Sequence, residues 1–97
     1  MDPDLPDLTI ADVVISTAGR DAGSLFYVLE ADDIWLTLVN GKDRTIEKPK
    51  RKKRKHASKV LRSETRVAEK LRLGDKVLNS ELRRDLAYLS QKLQSQT

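Results

Sequence analysis

The stretch DVVISTAGRDAGSLFYVLEADDIWLTLVNG, residues 12–41, holds three short runs of β-branched, leucine and aromatic residues separated by turn formers. Asp12 to Ala18 is β-branched and predicts a first strand. Gly19 and Gly23 bracket a polar loop, Gly19-Arg20-Asp21-Ala22-Gly23. Leu25 to Ala31 predicts a second strand, and Asp32-Asp33 a turn. Ile34 to Val39 predicts a third strand, with Ile34, Leu36 and Leu38 on one face and Trp35, Thr37 and Val39 on the other. Asn40-Gly41 is a strong hairpin signal, because both residue types tolerate the left-handed conformation of a tight turn.

Beyond this stretch, Arg44 to Glu47 reads as a short fourth strand, and Ala57 to Leu61 as a fifth after an intervening basic run. Closely spaced strands without an intervening helix indicate an antiparallel sheet. Five of them within about fifty residues favour a small SH3-like barrel over an OB-like one. From Ser63 onward the pattern changes: there is one glycine and no proline. Ser63 is a good N-cap, Val67 and Leu71 lie a helical turn apart, and Gly74 is a natural stop. Asn79 or Ser80 caps a second helix, whose Leu82, Leu86, Leu89 and Leu93 form one apolar stripe. The expected fold class is mainly β with C-terminal α. Residues 1–11 read as a disordered acidic leader, 12–62 as the barrel with its basic segment 48–55, and 63–97 as C-terminal helices.

Charge is strongly segregated. Nine Lys/Arg and no acid fall between Lys48 and Arg62, whereas the remainder has ten basic residues against fifteen acidic ones. Such segregation points to a polyanionic partner. A solvated loop or a nuclear-targeting run would carry the same charge. The chain has 97 residues, no cysteine and one histidine, His56. Disulfides and thiolate metal sites are excluded, and His56 reads as an ordinary exposed side chain. No apolar run approaches the roughly 18–20 residues that span a bilayer. The start Met1-Asp2-Pro3-Asp4 lacks the positive, then apolar, character of a signal peptide. A cytoplasmic protein without membrane partners is expected.

Catalytic patterns are not found. Gly41-Lys42 lacks the earlier glycine and the following Ser/Thr of a phosphate loop. The glycine loop is not a dinucleotide fingerprint, and the paired acids fall in turns. No enzyme activity, cofactor, metal or small-molecule substrate is expected.

The segment Val13 to Leu61 resembles a KOW-motif domain, a family in which a glycine-containing loop joins the first two strands of an SH3-like barrel. Val14 to Gly23 followed by Tyr27-Val28-Leu29 matches that plan, as do Asn40-Gly41-Lys42 and Glu47-Lys48-Pro49-Lys50-Arg51-Lys52-Lys53. The tail Leu78-Asn79-Ser80-Glu81-Leu82-Arg83 is similar to bacterial members. The likeness extends to bacterial KOW-domain RNA-binding proteins and to the "fourteen-e" class of large-subunit ribosomal proteins. It implies RNA binding, on or near the ribosome. One departure is Ala22, where many KOW loops carry lysine before the second glycine.

The expected RNA surface begins at Gly19, Arg20 and Gly23, whose glycines either shape the turn alone or let backbone approach the RNA. It continues through Lys42 and Arg44 and follows Lys48, Lys50, Arg51, Lys52, Lys53, Arg54 and Lys55 along the phosphate chain. Lys59 and Arg62 extend it. Ribosomal RNA is the expected partner, with ribosomal proteins beside it. Trp35 is expected to pack against the C-terminal helices, with stacking on an unpaired base as the other reading. The leucine stripe is expected to cover the barrel. Were it free, the protein would instead be an interaction module of the translation or transcription machinery. Duplex DNA is a third, weaker possibility for the polyanion.

Overall fold

Residues 7–95 are described by a computed structural model. Strands β1 (Asp12–Ser16), β2 (Leu25–Ala31) and β3 (Trp35–Val39) are followed by β4 (Lys50–Lys53), a 3-10 turn (Arg54–His56) and β5 (Ala57–Arg62). Helices α1 (Arg66–Leu73) and α2 (Asn79–Gln94) complete the chain. One antiparallel sheet has the order β4-β3-β2-β1-β5. β4 and β5 are its two edges, so the sheet is open where a barrel would close. Register shifts opposite Val13 and Val14 and between Val28 and Glu30 leave Val60 of β5 and Leu29 of β2 as the extra residues of two bulges. Bulges increase local bend and twist.

The three apolar strands lack polar alternation because both faces of the sheet are covered. On one face Val14, Phe26, Val28, Leu36 and Leu38 form a core, joined by Leu8 and Ala57. On the other, Val13, Tyr27 and Val39 meet Val67, Ala68 and Leu71 of α1 and Leu82, Leu86 and Leu89 of α2. The leucine stripe therefore packs within the molecule, and sheet and helices share one core. Each such side chain taken fully out of water stabilises by about 1.5–3 kcal/mol.

The leader expected over residues 1–11 divides. Residues 1–6 lie outside the described residues. Residues 7–11 do not form a free tail: Leu8 and Ile10 pack against the two cores, and buried Ala11 donates its N–H to Val28 O at 2.8 Å. The apolar Leu8, Ile10 and Ala11 have surface to bury once the sheet exists.

Helix α1 is capped by Thr65, not Ser63. The Thr65 hydroxyl accepts the Ala68 N–H at 3.2 Å, and Gly74 closes the other end. Ser63 is instead buried in a hydroxyl cluster. Tyr27 donates to the Asp85 carboxylate and lies 2.9 Å from Ser63 Oγ, while Thr65 donates to Asp85 at 2.9 Å. This cluster ties the centre of the sheet to both helices.

The region after Asn40-Gly41 also differs from expectation. It is a loop of residues 40–49, and Arg44 to Glu47 is not a strand. Asn40 Oδ1 accepts the N–H groups of Lys42 and Arg44, which closes a compact turn. The loop then docks on the start of α2. Asn79 Oδ1 accepts the Ile46 N–H at 2.9 Å, Asn79 Nδ2 donates to Glu47, and Arg83 donates to Gly41 O at 2.6 Å. Gly41 has φ +77°, and a Cβ there would lie 2.2 Å from Asn79 O. Glycine permits both the backbone angle and the close approach.

Candidate nucleic-acid interface

The fourth strand is built from the basic run. Lys53, Lys52, Arg51 and Lys50 pair with Trp35, Leu36, Thr37 and Leu38. Alternation along a strand then splits the cations between two faces. Lys50 and Lys52 lie on the side of Leu36 and Leu38, towards the glycine loop. Lys52 is 8% exposed, donates to Ala18 O at 2.8 Å and lies 3.1 Å from Asp21 Oδ1. Lys50 Nζ lies 2.6 Å from Asp21 Oδ2. Ser16 Oγ donates to the same carboxylate at 2.7 Å. Partial burial alone would raise the Asp21 pKa; hydrogen bonds from Lys50, Ser16 and Lys52 reverse this and hold it far below the ordinary value of 3.8.

Arg51 and Lys53 take the opposite face. The Arg51 guanidinium lies 4.7 Å from the centroid of the Trp35 ring, and Lys53 Nζ lies 5.6 Å from it. Cations at these distances are attracted by the ring quadrupole. Trp35 therefore borders the basic strand rather than the helices, which stop over Tyr27 and Val39 at the other end of the sheet. Asp32 sets its backbone: the carboxylate accepts the N–H groups of Ile34 and Trp35 at 2.8 and 2.6 Å. Those bonds keep the Asp32 pKa below its usual value.

The remaining expected contacts are distributed around this strand. Arg54 starts the 3-10 turn and donates to Asp32 O at 2.9 Å, and Lys55 is exposed in the same turn. Lys48 is exposed just before β4. Gly19 and Arg20 lie in the loop that Asp21 fastens to Lys50 and Lys52, with Arg20 exposed. Gly23 and Lys42 line a shallow cleft together with Arg83, a cation that sequence reasoning did not single out. Arg44 is half-buried, its carbonyl accepting from Asn40 and Gly41.

Lys59 and Arg62 do not extend β4. They lie on β5, the opposite edge of the sheet, where each faces an acid. Lys59 is 3.3 Å from fully buried Asp12, and Arg62 is 3.7 Å from Glu64. The patch is thus smaller than the charge run suggested. Its outward cations are Arg51 and Lys53, with Lys48 and Lys55 at the ends of the strand and Arg20 on the neighbouring loop.

Among the described residues no helix is long and apolar enough to cross a membrane. The chain matches no protein-family model and no curated protein.

Proposed function

We propose that the protein is a non-enzymatic RNA-binding protein that holds structured RNA, ribosomal RNA foremost, on the outward face and ends of β4. The observation that carries this reading is the division of the basic strand. Lys50 and Lys52 are held by Asp21, while Arg51 and Lys53 face outward with no carboxylate at salt-bridge distance among the described residues. Cations held outward on a strand, beyond salt-bridge distance of the described carboxylates, suit phosphate oxygens and release condensed counterions when they bind. Contacts of this kind position a protein on RNA without reading bases.

The strand order supports an SH3-like, KOW-type reading of the fold. β1 to β4 form a meander, and the 3-10 turn returns the chain so that β5 lies beside β1. In this reading the glycine loop and the basic strand are one unit, because Asp21 joins them. The burial of Leu82, Leu86 and Leu89 weighs against a partner helix on the stripe.

The test is affinity for a folded ribosomal RNA fragment as a function of salt. About five phosphate contacts give a log–log slope of roughly −3.5 to −4.5. A slope near zero would remove the electrostatic mechanism. Duplex DNA competing equally at the same salt would remove the preference for RNA.

A further inference from the structure

An open groove of about 650 Å³ lies on the outward face beside the basic strand. Its lining includes Trp35, Thr37, Arg51, Glu30 and Asp32, with the segment of Leu8, Thr9 and Ile10 along one side. Resting on the RNA-binding reading, we propose that this groove takes one unpaired nucleobase of the bound RNA, stacked on the Trp35–Arg51 pair, while its phosphates lie along Arg51 and Lys53.

Three features select this occupant. The first is the platform: Trp35 is half-exposed and already holds a planar guanidinium 4.7 Å from its ring centre, an arrangement on which a flat base continues the stack. The second is the charge gradient across the groove. Arg51 lines one side, with Lys53 Nζ near it, 5.6 Å from the Trp35 ring centre; Glu30 and Asp32 stand on another. Carboxylates repel a phosphate chain, so the backbone cannot cross the groove towards them. They do accept hydrogen bonds from N–H groups on a base edge. Asp32 already spends one oxygen on the turn, which leaves Glu30, exposed and paired in register with Thr37, as the main acceptor. The third is coverage: the helices bury the Tyr27 and Val39 end of this face but leave the Trp35 and Thr37 end half-open.

Trp35 is the sole tryptophan, so its emission reports the groove directly. The full chain is titrated with a fully paired RNA hairpin and with the same hairpin carrying a two-nucleotide bulge, and binding is followed separately by anisotropy of labelled RNA. Both hairpins are expected to bind. The bulged one should quench Trp35 strongly and bind at least about five-fold more tightly, the gain typical of one stacked base. Trp35→Ala should remove that gain, so that the two hairpins bind alike; Trp35→Phe should keep part of it. Glu30→Lys, at an exposed site, should lower the gain if Glu30 receives a base edge. Equal affinity and equal quenching for the two hairpins overturns the proposal while RNA binding stands, as does a Glu30→Lys variant that binds both hairpins more tightly. Failure of both hairpins to bind overturns the RNA-binding reading as well.

Discussion

Asp21 stands between Lys50 and Lys52, 2.6 Å from one ammonium and 3.1 Å from the other, and so fastens the first loop of the sheet to its edge strand. A side chain that looks like one more acid in a turn is the counter-charge for half of a basic strand. Replacing it leaves Lys52 buried with the Ala18 carbonyl but without a counter-charge. Asp21→Asn is expected to destabilise the fold by about 2 kcal/mol, below the ~3–5 kcal/mol of a fully enclosed pair because Lys50 still reaches water. Urea unfolding measures this, and a loss under about 0.5 kcal/mol would mean that the pair is dispensable.

The same carboxylate gives the stability an acid limb. Its folded pKa lies far below the ordinary 3.8, so its contribution is complete only above about pH 5 and is lost progressively as pH falls below that. Thermal melts between pH 5 and pH 2 should show a fall that is shallower in Asp21→Asn. Equal slopes in the two proteins would contradict the assignment.

An alkaline limb comes from Tyr27. Burial first, and then its bond to Asp85, push this phenol from 10.0 up to about 12. A raised folded pKa means stability that is present below pH 10 and lost as pH rises towards 12. In a Tyr88→Phe background Tyr27 is the only phenol, so phenolate absorbance should appear late and together with unfolding. Tyr27→Phe takes one of two hydroxyl donors from Asp85, which keeps Thr65, and should cost about 1–3 kcal/mol at neutral pH.

Two glycines with similar backbone angles should respond very differently to alanine. At Gly41 the added Cβ meets Asn79 O at 2.2 Å and Leu82 Cβ at 2.9 Å; at Gly23, φ +91°, nothing lies within 4 Å. Gly23→Ala should carry only the left-handed backbone penalty of about 1–2 kcal/mol. Gly41→Ala should lose more than about 3 kcal/mol, because loop and helix must also part. Similar losses in the two variants would show that the docking of residues 40–49 on α2 contributes little.

The division of β4 also separates folding from binding. Lys53→Ala is expected to keep stability within about 0.5 kcal/mol and to reduce the salt slope for RNA by about 0.7–0.9. Lys52→Ala should do the reverse, lowering the melting temperature with the slope unchanged. A matched drop in slope for both would mean that the buried lysine reaches RNA after all.

Much of the sheet was legible from residue type alone. The runs that became β1, β2 and β3 are β-branched and aromatic, and Gly74 ends α1 as its position suggests. The strand built from Lys50 to Lys53 was not legible, because lysine and arginine have weak strand preference and no apolar residue marks the alternation. Its inward half becomes visible only with Asp21, 29 residues away from Lys50, in place. Asn40-Gly41 suggested a minimal hairpin because the pair suits one locally. Gly41 also meets Asn79 and Arg83 of α2, which no local pattern reveals. Ser63 and Trp35 were misplaced for the same reason: each has a partner distant in sequence, Tyr27 for one and Arg51 for the other.

An open sheet has two borders at which a foreign strand can add, and such addition is a common start of aggregation. Here one border consists of four consecutive cations, Lys50 to Lys53. A second copy approaching that border in register would bring its outward Arg51 and Lys53 against those of the first. The sequence that attracts a polyanion therefore also keeps identical molecules apart, and it stops doing so at high ionic strength, where self-association should first become visible.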